Sequence, residues 1–167
     1  LVVDEEARAL SLHDPLTGLL NKGTITQALE QLLIQEGFCL LLFDIDFFKK
    51  INDNYGHHIG DHVLNELGKL LSDNLKGKDS VGRFGGEEFV ILLRDSDLAT
   101  GWKVAEDLRR RVENHRFIEN ATFPITISVG LAVCQRGEAW QQAYARVDAA
   151  LYAAKRAGRN RVVAATA

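Results

Sequence analysis

From Thr24 to about Gln35 apolar residues recur every three to four positions, with Ile25, Ala28, Leu29, Leu32 and Leu33 along one stripe. That spacing predicts an amphipathic helix, with Gly37 as its stop. The same period returns in 60–75, where Val63, Leu64, Leu67, Leu70 and Leu71 turn inward, in 98–115, and in an alanine-rich stretch closed by Gly158. "FCLLLFDI" at 38–45 is apolar without interruption, as expected of a strand covered on both sheet faces. "PITISVGLAVC" at 124–134 alternates as a strand, and "RVVAA" at 161–165 is a last short one. Strands near 79–84 and 87–93 flank Gly85 and Gly86, a pair that predicts a tight hairpin because glycine takes positive φ without penalty. "FFKKINDNYG" at 47–56 reads as a short helix ending at Gly56. "EEARALSL" at 5–12 is helical and is broken by Pro15 and Gly18 in "HDPLTGLLN". The order is helix, strand, helix, helix, hairpin, helix, strand, helix, strand. It predicts an α+β fold, a mixed sheet covered by helices, and excludes a doubly wound parallel sheet.

Composition adds limits. At 167 residues the chain suffices for one domain with a sizeable core, and 46% hydrophobic with 26% charged content is ordinary for a soluble protein. A net charge of −3 gives no electrostatic case for binding nucleic acid or an anionic membrane. The longest apolar run is too short to span a bilayer and no secretory leader is visible, so a cytoplasmic location is expected. Cys39 and Cys134 lie in apolar strand segments and read as buried reduced thiols. Methionine is absent and the chain opens on Leu1, as expected of a piece cut from a longer protein with a regulatory domain upstream.

Two stretches carry polar residues that a core does not explain. "RFGGEEFVILL" at 83–93 places Glu87 and Glu88 at the start of an apolar strand, where successive side chains face opposite ways. "LLFDIDFFKKIND" at 41–53 places Asp44 and Asp46 at the end of another. Asp46 reads either as the N-cap of a helix beginning at Phe47 or as a site carboxylate. Asp44 follows an unbroken apolar run and is costly to bury unpaired. A carboxylate at a strand end with another on a hairpin tip suits Mg²⁺, and the helix start after Asp46 offers free N–H groups to a phosphate. An EF-hand is excluded because "DIDFFKKINDNYG" lacks the third oxygen ligand and the glycine at their required positions. His57 and His58 read as solvated residues of a Gly-flanked loop, and Trp102 and Trp140 as helix packing residues.

Four blocks together, "DPLTGLLN" (14–21), "FDIDFFKKINDNYGHHIGD" (43–61), "RFGGEEF" (83–89) and "ALYAAKRAGRN" (150–160), resemble the GGDEF family of diguanylate cyclases in its GGEEF variant. The resemblance covers 13–167 and leaves 1–12 as the end of an upstream helical linker. It implies a central, mainly antiparallel sheet similar to the adenylyl cyclase catalytic domain and the polymerase palm. It also implies condensation of two GTP into cyclic di-GMP and two pyrophosphates by a homodimer of half-sites. Mg²⁺, with Mn²⁺ as a substitute, would be held by Asp44, the carbonyl of Ile45 and Glu87. Glu88 would lie beside the metals or take the proton of the attacking 3′-hydroxyl. Asn52 and Asp61 would read guanine, a carboxylate accepting N1–H and N2–H₂ together where adenine presents a lone pair. The alternative is that Asp61 caps the helix that follows and Asn52 is a solvated helix-end residue. Phe47, Phe48, Gly85 and Gly86 would border the nucleotide, and Lys49, Lys155 and Arg159 would meet its phosphates. Lys155 and Arg159 also fit as plain cations at a helix C-terminus.

Two departures stand out. "NKGT" at 21–24 replaces a pair of arginines after Asn21, and "KGKD" at 76–79 puts Lys76 where the family's product-inhibition site has arginine, keeping Asp79. Product inhibition is therefore expected to be weak. The competing expectations are a catalytically silent module that binds GTP or cyclic di-GMP, and a cyclase of relaxed base choice.

Overall fold

The computed structural model describes residues 12–75 and 77–166. The helical linker expected over 1–12, Leu12 excepted, and Lys76 of the expected, degenerate product-inhibition site lie outside the described residues. The elements run α1 (Lys22–Gln35), β1 (Phe38–Ile45), α2 (Phe48–Tyr55), α3 (His57–Asn74), β2 (Ser80–Gly85), β3 (Glu88–Arg94), α4 (Leu98–Asn114), β4 (Ile127–Cys134), α5 (Trp140–Arg156) and β5 (Val162–Ala164). They form one five-stranded sheet in the order β2-β3-β1-β4-β5. All pairs are antiparallel except β4 with β5. The expected element order and mixed, mainly antiparallel sheet are both present.

Strand β1 lies at the centre because every one of its eight residues is buried. Its odd-numbered side chains, with Phe89, Ile91, Ile127 and Val129, pack under α2, α3 and α4. Its even-numbered ones, with Val90, Leu92 and Ala132, pack against Ile25 and Leu29 of α1 and Val147 and Leu151 of α5. This two-sided cover is why the run shows no alternation. Cys39 and Cys134 are free and buried, and burial pushes the Cys39 thiol up to about 11 and the Cys134 thiol up to about 12.

One close approach sets the position of α5. A Cβ on Gly130 would lie 2.4 Å from the Val147 carbonyl oxygen and 2.6 Å from the Leu151 nitrogen, so the helix backbone rests directly on β4. The outer edge of β2 is met by the 12–20 loop: Leu20 N–H donates to the Val81 carbonyl (3.2 Å), and Arg83 N–H to the Leu20 carbonyl (2.8 Å).

Several local expectations are corrected. Helix α1 starts at Lys22, capped by the Asn21 side chain, which accepts from Thr24 N–H at 3.0 Å. Its C-cap is Glu36 in extended backbone. Gly37 is needed instead where a Cβ would come 3.2 Å from the Cys134 carbonyl oxygen. Gly56 serves as C-cap of α2 and N-cap of α3, so His57 and His58 open a helix, though exposed as expected. Asp61 is then an interior helix residue, which overturns the capping alternative for it. The hairpin's turn residues are Gly86 and Glu87, and neither Gly85 nor Gly86 takes positive φ. A register shift between Arg83 and Gly85 absorbs Phe84 as a bulge.

Candidate active site

The sequence-predicted carboxylates meet at the C-terminal end of β1. Asp44 pairs with Glu88 of β3 on one side and with Ser128 of β4 on the other. Glu88, not Glu87, is thus the residue level with Asp44. Glu87 occupies the turn, and its carbonyl accepts from Ile45 N–H at 3.3 Å.

Asp44 is 8% exposed. Its Oδ2 accepts from the Lys155 ammonium, while Oδ1 is buried with no hydrogen-bond partner. Burial pushes the Asp44 carboxyl above its ordinary value. Lys155 pulls it back, and the neighbouring charges of Glu87 and Asp46 push it up again. Glu88 is half-buried and its Oε1 accepts from the Tyr144 hydroxyl at 2.8 Å. Burial raises its carboxyl too, against the Tyr144 hydrogen bond and with the charges of Asp44 and Asp148.

Asp46 is neither a helix cap nor open to the site. Its Oδ1 accepts from Ser128 Oγ (2.6 Å), and its Oδ2 from Thr126 Oγ1 (2.8 Å) and Asn160 N–H (3.1 Å). Helix α2 begins one residue later than expected. Its N-cap is Phe47 in left-handed backbone (φ 56°), with no side-chain cap, so the first-turn N–H groups lack a side-chain acceptor. Phe47 is 56% exposed, and the Arg159 guanidinium lies 4.5 Å from its ring centroid. Arg159 is itself left-handed (φ 65°), between Gly158 and Asn160, which also have positive φ.

Asn52 is not a solvated residue: its Oδ1 is buried, without a partner, against α3. A Cβ on Gly60 would stand 1.8 Å from that oxygen and 3.4 Å from the Phe48 ring. Asp61 and Lys49 are exposed, and among the described residues neither side chain makes a hydrogen bond or ion pair. Gly85 and Gly86 face open space, a Cβ at either meeting nothing within 4 Å. Asp79 is engaged locally, accepting from Arg94 N–H at 3.1 Å. The structure thus joins Asp44, Glu87, Glu88 and Lys155 in one group, Phe47 with Arg159 in a second, and Asn52 with Phe48 in a third.

Sequence reasoning missed the residues that hold this group in place. Tyr144 was one more position on an amphipathic helix, although a polar tip among alanines was a signal. Ser128 was visible as a hydroxyl in an apolar strand. Arg83 bridges the turn to the 12–20 loop, donating to the Gly86 carbonyl (3.0 Å) and to both oxygens of Asp14 (3.3 Å).

A mainly antiparallel sheet with an acidic pair at a central strand end, an uncapped helix start beside it and helix C-terminal cations across it is a palm-like α+β domain. Residues 11–161 match the family described as "Diguanylate cyclase, GGDEF domain". The chain is 42% identical over 95% of its length to diguanylate cyclase DgcP of Pseudomonas aeruginosa, covering 24% of that protein. It is 39% identical over 92% of its length to the response regulator PleD of Caulobacter vibrioides, covering 36% of it. Among solved structures, the coiled coil and GGDEF domain of DgcB from Caulobacter crescentus, in complex with c-di-GMP, superposes with a TM-score of 0.92. That match has 31% identity and covers 98% of this chain and 91% of the other. The chain belongs to the GGDEF domain family of diguanylate cyclases. It spans about a quarter and about a third, respectively, of the length of these two curated relatives. Among the described residues no helix is long and apolar enough to cross a membrane.

Proposed function

We propose that the domain condenses two GTP into one cyclic di-GMP. Each 3′-hydroxyl oxygen bonds to the α-phosphorus of the other nucleotide, the bond to pyrophosphate breaks, and the hydroxyl proton leaves through a base. The observation that carries this reading is the buried, unpartnered Oδ1 of Asp44, directly across from Glu88. An acidic group buried under mutual repulsion is stabilised by a cation. Among the described residues no three acidic, histidine or cysteine side chains gather closely enough to cage one alone. That suits Mg²⁺, which is held by one or two carboxylates together with substrate phosphates. Asp44, the Ile45 carbonyl and Glu87 fit as its ligands, with Mn²⁺ as a substitute. Bound there, the ions would neutralise charge on the attacking and leaving oxygens.

The chain's own groups divide the remaining work. The free N–H groups at the start of α2, at Phe47 and Phe48, receive phosphate oxygens. Lys49, Lys155 and Arg159 supply positive charge to the triphosphate. Gly85 and Gly86 leave room for the nucleotide over the hairpin, and Asn52 and Asp61 read guanine. Glu88 would lie beside the metals or accept the 3′-hydroxyl proton. Each subunit holds one GTP, so a homodimer completes the reaction, with residues 1–12 as the link to an upstream regulatory domain and the domain in the cytoplasm.

Incubation with GTP and Mg²⁺, with the product identified by mass spectrometry, tests the reading. Cyclic di-GMP is expected from the parent and none from Glu87→Ala, with the melting temperature unchanged. Normal turnover by Glu87→Ala would remove the metal-ligand role.

A further inference from the structure

Helix α5 contributes a residue to the hairpin that the metal and nucleotide roles do not use. The Tyr144 hydroxyl donates to Glu88 Oε1 at 2.8 Å, and this is the only hydrogen bond the Glu88 carboxylate makes among the described residues. The Tyr144 ring stacks on Phe84, centroids 5.2 Å apart and planes at 25°. Phe84 is the bulged residue at the hairpin tip, and the Lys22 ammonium caps its ring at 4.9 Å. Tyr144 therefore holds both the backbone element that carries the signature and the carboxylate that projects from it.

Packing alone does not require the hydroxyl. Phenylalanine at 144 would stack on Phe84 equally well, and would leave the half-buried Glu88 without its donor. We propose that Tyr144 is a positioning residue for the cyclase reaction, fixing the Glu88 carboxylate through Oε1 so that Oε2 alone is presented to the nucleotide. This rests on the reading of Glu88 as a site carboxylate. Burial and the adjoining carboxylates push the Tyr144 phenol above its ordinary range, so it stays protonated and donates throughout neutral pH. A side chain fixed before substrate arrives has less freedom to lose in the transition state, so the benefit falls on kcat rather than on GTP binding.

Tyr144→Phe on the full chain is the test, with steady-state kinetics in GTP and Mg²⁺ and a thermal melt. The expected result is a fall in kcat of about tenfold, the scale of one hydrogen bond to a charged group, with KM for GTP and the melting temperature unchanged. The same change in a Glu88→Asp background, whose shortened carboxylate cannot reach the hydroxyl, is expected to have no further effect. An unchanged or raised kcat for Tyr144→Phe overturns the proposal, as does a loss confined to KM or matched by a lower melting temperature. Equal losses in both backgrounds overturn it as well, since Tyr144 would then act independently of Glu88. A parent chain that makes no cyclic di-GMP overturns the functional reading itself, and this inference with it.

Discussion

Gly60 sits inside α3, where alanine would favour the helix by about 1 kcal/mol. A Cβ there would lie 1.8 Å from Asn52 Oδ1 and 3.0 Å from its Cγ, so any side chain evicts the Asn52 amide from its place. Gly60→Ala is therefore expected to melt no lower than the parent while its preference for GTP over ATP drops about tenfold or more, on the scale of one lost base-edge contact. Nucleotide titrations of both proteins decide it, and an unaltered ratio would take base reading away from Asn52. The polar residues of this site were legible one by one, because a carboxylate ending an apolar run stands out. Their partners were not. Asp46 is satisfied by Thr126, Ser128 and Asn160, at separations of 80, 82 and 114 residues, and no local pattern announces such contacts.

The hairpin is tied to the loop before α1 through Arg83 and Asp14. Asp14 Oδ2 also accepts from Thr17 N–H (2.9 Å) and Thr17 Oγ1 (2.8 Å), which closes the loop on itself. Partial burial pushes the Asp14 carboxyl up, but the Thr17 hydrogen bonds and the Arg83 charge outweigh it and hold the value below the ordinary one. A depressed carboxyl contributes stability that is present at neutral pH and lost as the pH falls through its folded value. The stability gap between the parent and Asp14→Asn, measured by urea unfolding, is expected to be widest near pH 7 and to close below about pH 4. A gap constant over that range would show that the carboxylate charge plays no part. The elements from α1 to β5 were legible from periodicity, from apolar runs and from the glycine pair of the hairpin. Their ends shifted where one residue served two elements, as Gly56 does, or where a bulge moved the turn, as Phe84 does.

Across the whole molecule the proposed reaction needs more than one copy of the chain. In that proposal Asp44, Glu87 and Glu88 serve one nucleotide per subunit, and the second 3′-hydroxyl would come from a facing subunit. Specific activity is thus expected to rise with enzyme concentration and to level off once the dimer dominates. A parallel coiled coil fused ahead of Leu1 should raise it at dilute concentrations by raising the effective concentration of the partner. Flat specific activity across a dilution series, with a monomer confirmed by light scattering, would rule out the half-site scheme. The global layer arrangement followed from the element order, whereas the seating of α5 on β4 depends on Gly130, whose meaning appears only once the two are in contact.

Because β1 is bordered by β3 on one side and β4 on the other, the two halves of the site appear at different moments of synthesis. A nascent chain that has emerged as far as Arg94 holds everything needed to pair Asp44 with Glu88. Lys155 and Tyr144, which meet those carboxylates at separations of 111 and 56 residues, are then still unmade. Until β4 arrives, the other edge of the most apolar strand in the protein stays open to any strand that comes by, another nascent chain included. A chain ended at Asn114 should accordingly sediment with the aggregated fraction, while one carried through β5 stays in the supernatant. Finding the shorter product soluble and monomeric would mean that β1 is shielded by something other than β4.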